Sequence, residues 1–275
     1  MSYKTILVHV DQSPGAEARI ALAARLAGEH GAHLLGSAMT GISRFIFSGS
    51  NVDIARTVLD AQLKIVTDHA TAALAQFDAI AAGVSALSFE RRLVDDDDAP
   101  GLAQQARYAD LVVLSQSDPN APIARIAPDL ASYVMLHSAC AVLITPFAGA
   151  PAALGRHPLI AWDDSVQARR AVTGALPLLQ RARKVTLVTF NVEAEPLLAG
   201  TDMALYLARH GVNVEVLREE TEFDVGFALI ELVATLNADL LVMGGYGHAR
   251  LREVLLGGVT QTMLANMTIP VLMSH

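Results

Sequence analysis

The fold is decided by the segment KTILVHVDQS at residues 4–13, an apolar run that ends in Asp11-x-Ser13. The same plan returns 152 positions later in HPLIAWDDS at residues 157–165, which ends in Asp163-x-Ser165. A short apolar run without alternation is typical of a parallel strand that is buried on both faces. The repetition therefore predicts two successive units, each of which opens on such a strand.

The segments that follow each opening strand also come in pairs. They are predicted helices at 16–29 and 166–181, strands at 33–40 and 185–191, strand-bearing segments at 108–114 and 236–242, and closing strands at 141–145 and 270–273. This alternation predicts an α/β fold with two tandem, doubly wound, five-stranded parallel sheets, because parallel strands need crossover connections. Ligands of such sheets bind at the carboxyl ends of the strands.

The composition describes a globular chain with a large apolar core. Hydrophobic residues make up 52% of the 275 positions, and no apolar run reaches the roughly 18 residues that a membrane span needs. A net charge of −8 argues against nucleic-acid and anionic-membrane partners, since both require a basic face. Cys140 is the single cysteine, and the N-terminus enters a strand without room for a signal peptide. We therefore expect a cytoplasmic protein.

Two glycine clusters lie on either side of one loop in the second unit. Met243-Gly244-Gly245-Tyr246-Gly247 follows a strand at 238–242, and Gly257-Gly258-Val259-Thr260 opens a predicted helix at 259–265. Glycines at a strand end let backbone N–H groups approach an anion, and the first N–H groups of a helix attract phosphate. The pattern predicts a nucleotide phosphate site, although it is neither a Walker A loop nor a dinucleotide fingerprint. The alternative is that these glycines only permit tight packing of helix on strand.

The spacing Gly244-x2-Gly247-x9-Gly257 resembles the ATP-binding signature of the universal stress protein family, in its tandem, two-domain form. The resemblance covers both halves. It implies the adenine nucleotide α-hydrolase-like strand order 3-2-1-4-5 in each domain and ATP, with or without Mg²⁺, as the ligand. Gly258 stands where the family carries a Ser or Thr, so one hydroxyl contact to phosphate is lost.

The repeat and the resemblance together predict a domain at 1–147 and a second domain at 156–275. A single α/β barrel is the structural alternative at this length, but the restart at His157 and the Gly-, Ala- and Pro-rich linker before it argue against a barrel. In the family, the last strands of two domains pair antiparallel across a two-fold axis. The resemblance therefore implies an internal pseudo-dimer through 141–145 and 270–273, and it leaves a further homodimer open.

Residue roles in the second domain come from the resemblance. Adenine and ribose would meet the end of the first strand, an apolar side chain on the second strand would wall the base, and the glycine loop would hold the phosphates. The predicted site residues are Ala161, Trp162, Asp163, Phe190, Met243, Gly244, Gly247, Gly257, Gly258, Val259 and Thr260. For Asp163 the alternative role is an N-cap of the following helix, for which Asp164 and Ser165 also qualify.

The first unit lacks the glycines. Ser115-Gln116-Ser117-Asp118 and Pro128-Asp129-Leu130-Ala131 stand where the second unit has its two clusters. The carboxylates of Asp118 and Asp129 would repel phosphate at close range, so we expect the first domain to be degenerate. The acidic run at 95–98 is interpreted as compensation of a helix start, with a metal site as the weaker alternative.

The resemblance, together with the difference between the two glycine regions, implies a stress-response regulatory protein that binds ATP at one site, in its C-terminal domain. The alternatives are a slow ATP-hydrolysing or adenylyl-transferring enzyme and a ligand-free scaffold. His248, Arg250 and Arg252 lie between the glycine clusters. Neither an acid–base pair nor a catalytic lysine is evident beside them, so we predict no catalytic residue and no metal ligand.

Overall fold

The computed structural model describes residues 2–41, 53–118, 129–147, 149, 151, 153–192, 200–246 and 258–275. Strands and helices alternate in the first half as β1 (Thr5–His9), α1 (Ala16–His30), β2 (His33–Met39), α2 (Asp53–Ala82), β3 (Ser88–Val94), α3 (Asp98–Gln105), β4 (Leu111–Ser115), α4 (Leu130–His137) and β5 (Ala141–Thr145). The second half continues with β6 (Pro158–Ala161), α5 (Val166–Leu179), β7 (Val185–Phe190), α6 (Thr201–Arg209), β8 (Val214–Glu219), α7 (Val225–Leu236), β9 (Leu240–Gly244), α8 (Val259–Asn266) and β10 (Val271–Ser274).

The strands form one ten-stranded sheet in the order β3-β2-β1-β4-β5-β10-β9-β6-β7-β8. Each half has the order 3-2-1-4-5 with parallel neighbours, so the predicted doubly wound α/β fold is confirmed. The halves meet where β5 pairs antiparallel with β10, with Val142 opposite Met273 and Ile144 opposite Val271. None of the helices that the structure describes, α2 included, is both long enough and apolar enough to cross a membrane.

A repeated aspartate fixes the start of each opening strand. The carboxylate of Asp110 accepts hydrogen bonds from the backbone N–H groups of Lys4 and Thr5 at 2.6 and 3.0 Å. Asp239 makes the same two contacts at 2.7 and 3.0 Å with the residues that precede β6. Because these aspartates belong to the turns, β4 and β9 begin only after them. The fourth strand of the second half therefore starts two residues later than the predicted 238–242.

Burial separates the central strands from the edge strands. All residues of β5 and β10 are buried, and only the last residue of β4 and of β9 is partly exposed. These four strands are the continuous apolar runs of the sequence. The edge strand β3 is mostly exposed and carries Glu90, Arg91 and Arg92. Charged side chains on an edge discourage pairing with another chain, so the sheet ends there.

Helix α5 packs directly on β5, the last strand of the first half. A Cβ atom built on Gly174 would lie 2.5 Å from the Cβ atom of Ala141 in β5. The hydroxyl of Tyr3, which is buried, donates a hydrogen bond to the carbonyl oxygen of Gly174 at 2.7 Å. A residue without a side chain at 174 is therefore what allows the two halves to approach so closely.

Replacing Gly174 tests this contact. Gly174→Ala gains about 1 kcal/mol of helix propensity, but it forces a methyl group onto Ala141, and overpacking of this kind costs about 1–3 kcal/mol. Taking the middle of that range, we expect a net loss of about 1 kcal/mol in the free energy of urea unfolding. The double variant Gly174→Ala with Ala141→Gly should regain part of the loss, and an unchanged or raised stability of the single variant would contradict the close approach.

Candidate functional site

A cavity of about 250 Å³ opens at the carboxyl ends of β6, β7 and β9. It contains eight of the predicted site residues, namely Ala161, Trp162, Asp163, Phe190, Met243, Gly244, Val259 and Thr260. Gly258 is described but does not line the cavity, and Gly247 and Gly257 lie outside the described residues, as do Pro128, His248, Arg250 and Arg252. The structure thus brings together residues that are up to 99 positions apart in the chain.

The inner walls of the cavity are apolar. Phe190 ends β7, Met243 lies on β9, and the first two turns of α7 contribute Val225 and Leu229. The sequence analysis did not single out Val225 and Leu229, nor Val188 and Asn191, which also line the cavity. Spaced four residues apart, Val225 and Leu229 share one face of the helix, which is a signal for burial but not for a ligand. The result is a slot suited to a flat apolar group.

The polar rim is built on the turn between β6 and α5. Oδ1 of Asp163 accepts a hydrogen bond from the N–H group of Ser165 at 3.1 Å, and Asp163 is exposed. The N-cap of α5 is Ser165, whose Oγ accepts a hydrogen bond from the N–H group of Ala168 at 3.0 Å. Asp164 between them has φ 61°, a left-handed conformation that Asp tolerates better than most residues. The N-cap role considered for Asp163 therefore falls to Ser165, and Asp163 is one of the residues that line the cavity.

Two glycines of the first cluster have packing roles. A Cβ atom on Gly244 would lie 2.6 Å from the backbone nitrogen of Ala168, in the first turn of α5. A Cβ atom on Gly245 would lie 2.5 Å from Sδ of Met135, which belongs to α4 of the first half. Tight packing, the alternative considered above, thus accounts for these two residues. It says nothing about Gly247 and Gly257.

Tyr246 anchors the beginning of the loop on both sides. Its backbone N–H group donates a hydrogen bond to Oγ1 of the buried Thr260 at 3.2 Å. Its hydroxyl lies 2.7 Å from Oγ of Ser132 in α4. Helix α8 then starts at Val259, with Gly258 as an N-cap that supplies no side-chain hydrogen bond. Tyr246 is therefore held by hydrogen bonds to both halves, and the start of α8 has no side-chain cap.

A buried arginine lies beside the end of β4 in the first half. Arg19, in α1, lies at the position that Ala171 holds in α5, and it is only 1% exposed. Its Nη1 donates to Oγ of Ser115 at 2.6 Å, its Nη2 to Oδ1 of Asp11 at 2.8 Å, and its Nε to the carbonyl oxygen of His9 at 2.9 Å. Ser115 ends β4 where Gly244 ends β9. A guanidinium network therefore connects α1 with the ends of β1 and β4.

The N-terminus of α4 in the first half is capped by a carboxylate. Asp129 is the N-cap of α4, where its Oδ2 accepts from the N–H group of Ser132 at 3.1 Å. Its Oδ1 accepts from Oγ of Ser117 at 2.7 Å. An ionised N-cap satisfies the donors that a phosphate would otherwise use. Among the described residues, no three His, Cys, Asp or Glu side chains form a group that could hold a metal ion.

The pair of Arg19 and Asp11 is electrostatically strong. Burial alone would raise the pKa of Asp11, but the charges of His9 and Arg19, with hydrogen bonds from Ser13 and Arg19, outweigh it and lower the pKa from 3.8 to about 2. A carboxyl whose pKa is lower in the folded state stabilises the fold above its unfolded pKa. This contribution is lost as the pH falls from about 4 through about 2.

Asp11→Asn tests this network. We expect a loss of about 2 kcal/mol in the free energy of unfolding at pH 7, following from the lowered pKa. In urea titrations the difference from the wild type should shrink between pH 4 and pH 2. The control is Asp163→Asn at the matching position of the other half, which is exposed and should change stability by less than about 0.5 kcal/mol. Equal losses in both variants would contradict a special role for the buried pair.

The sequence model of the universal stress protein family matches residues 2–146 and 195–275. No curated protein is significantly similar to the chain in sequence. Among solved structures, a universal stress protein from Archaeoglobus fulgidus DSM 4304 has a TM-score of 0.74 at 14% identity, over 98% of this chain and 94% of that one.

A functionally unknown protein from Pseudomonas aeruginosa PAO1 has a TM-score of 0.55 at 17% identity, over 98% of this chain and 92% of that one. At these identities the two structures show a shared fold and nothing finer. The family match is more informative, because it covers most of both halves. The chain belongs to the universal stress protein family.

Proposed function

We propose that the protein is a cytoplasmic stress-response regulator that binds ATP at one site, in the cavity of its second half. The observation that carries the proposal is that Asp163, Phe190 and Met243 meet in one cavity beside the start of α8. In this proposal the chain consists of a degenerate domain at 1–147 and a nucleotide-binding domain at 156–275. The pairing of β5 with β10 supports their description as an internal pseudo-dimer.

The apolar and polar parts of the cavity would hold different parts of a nucleotide. The adenine ring would lie between Phe190 and the Val225–Leu229 face of α7, since flat aromatic groups bind in apolar slots. The ribose hydroxyls would donate to the carboxylate of Asp163, as in dinucleotide-binding folds. A volume of about 250 Å³ is at the lower end of ligand pockets, so base and ribose would fill it and the phosphates would extend over the rim.

The phosphates would then reach the glycine loop and the start of α8. Gly258 contributes no side-chain cap there, so the first N–H groups of the helix are the donors that the proposal assigns to phosphate. In the first half the N-cap of the matching helix is Asp129, whose carboxylate already accepts a hydrogen bond from the N–H group of Ser132. This asymmetry supports one site per chain.

ATP titration of the purified protein tests the proposal. Trp162 is the single tryptophan and lines the cavity, so its fluorescence should change saturably with ATP, and calorimetry should give the same affinity. Asp163→Asn should weaken binding roughly ten- to a hundredfold, the effect of losing charge-assisted hydrogen bonds. The matched control is the neighbouring Asp164→Asn, which keeps the left-handed backbone conformation and should bind as the wild type. An unchanged affinity in Asp163→Asn would disprove the placement of the ribose.

Gly258→Ser tests the phosphate end. The N-cap conformation of φ −50° and ψ 169° is open to serine, so no backbone strain opposes the change. The added hydroxyl can donate to phosphate, and we expect affinity for ATP to rise roughly ten- to a hundredfold. Gly258→Ala is the control, since it adds the same Cβ without a donor. Equal effects of Ser and Ala would rule out a phosphate contact at this position.

A further inference from the structure

The first half has a cavity of its own, of about 280 Å³, at the carboxyl ends of β1 and β2. Its polar residues on this side are His9, Asp11, Gln12, Thr40 and Asp98, the last at the start of α3. Its opposite wall is the face of α2 that carries Val66, His69 and Ala70. The cavity lies at the end of the sheet where α/β folds bind ligands, but its chemistry differs from that of the second half.

Two substitutions make the difference. His9 ends β1 where Ala161 ends β6, and Asp98 begins α3 where Val225 begins α7. The apolar slot of the second half is thereby replaced by an imidazole and a carboxylate. A flat apolar group would bury Asp98 without a partner, and a phosphate would be repelled by the carboxylates of Asp11 and Asp98. The cavity therefore excludes the ligand proposed for the other half.

Asp11 and Asp98 each have a carboxylate oxygen that can still accept a hydrogen bond from a ligand in the cavity. Asp11 uses Oδ1 for Arg19 and Ser13, while its Oδ2 lies 3.6 Å from Nδ1 of His9. Oδ1 of Asp98 lies 3.7 Å from Nε2 of the same ring. Both distances exceed hydrogen-bond length, so the imidazole neighbours the two carboxylates without closing a hydrogen bond to either. The lowered pKa of Asp11 keeps this carboxylate charged at neutral pH.

Thr40 supplies an independent sign of a ligand. Its side chain is 5% exposed, and Oγ1 has no hydrogen-bond partner within the described residues. Buried hydroxyl groups in folded proteins are nearly always paired, since an unmade hydrogen bond is costly. Thr40 follows β2 directly and lines the same cavity as the two carboxylates. A ligand with N–H donors would satisfy all three groups.

We propose that this cavity binds a small organic cation, a primary amine or guanidine on a short aliphatic chain. The cationic head donates hydrogen bonds to Asp98 and to Oδ2 of Asp11, with Oγ1 of Thr40 as a further acceptor. The aliphatic part lies against Val66 and Ala70 of α2. The proposal is independent of ATP binding, because the two cavities share no residue.

Calorimetric titration of the full chain with 1,4-diaminobutane and with butylamine tests the proposal. Both amines should bind saturably, whereas 1-butanol and butyrate, which have the same carbon chain without the positive charge, should not. Asp98→Asn should weaken amine binding roughly ten- to a hundredfold. Thr40→Val, which keeps the shape and removes the hydroxyl, should weaken it severalfold. Asp97→Asn is the matched control, because Asp97 caps the same helix without lining the cavity and should bind as the wild type.

Each other result overturns the assignment. Equal weakening by Asp97→Asn and Asp98→Asn would mean diffuse attraction to the acidic run at 95–98. Saturable binding of Mg²⁺ alone, without binding of either amine, would make the cavity a metal site. Absence of saturable amine binding in the wild type would mean that the contacts of Asp11 and Asp98 within the chain suffice and that no ligand is needed.

Discussion

The antiparallel pairing of β5 with β10 is the contact on which the rest of the structure depends. Every residue of both strands is buried, so neither five-stranded sheet could end there without exposing apolar side chains and unpaired backbone groups to water. Pairing removes both edges at once and makes one sheet of ten strands. Gly174 lets α5 approach β5 closely at this pairing. Charged side chains lie instead on the outer edge strand β3, which stays unpaired on one side.

The two halves share one sheet topology but differ in the residue that ends the fourth strand. In the second half, Gly244 brings the end of β9 against the first turn of α5, which leaves the space in front of the strands open. In the first half, Ser115 stands there and receives the guanidinium of Arg19. The end of β9 therefore lines a cavity, whereas the end of β4 meets a buried ion pair. Fold alone therefore does not assign a ligand to either half.

The sequence was sufficient for the fold because central parallel strands leave a direct trace, a continuous apolar run, and because this trace occurs twice. It was also sufficient for most of the cavity residues, which lie in short motifs at strand ends. It did not indicate Arg19, because an arginine in an Ala-rich amphipathic helix is typical of a solvated face. Only the three-dimensional arrangement brings it to Asp11 and Ser115. Val225 and Leu229 were missed for the converse reason, since apolar residues on a helix predict core.

The first half also has a structural role in the loop of the second. The hydroxyl of Tyr246 meets Ser132, whose Oγ donates in turn to Oδ2 of Asp129 at 2.7 Å. Gln116 adds a hydrogen bond from Nε2 to the carbonyl oxygen of Leu264 in α8, at 2.8 Å. Gln116 and Asp129 stand where the second half has Gly245 and Gly258, and both therefore take part in hydrogen-bonded contacts between the two halves. The β5–β10 pairing brings α4 close enough to the second half for Met135 to pack against Gly245.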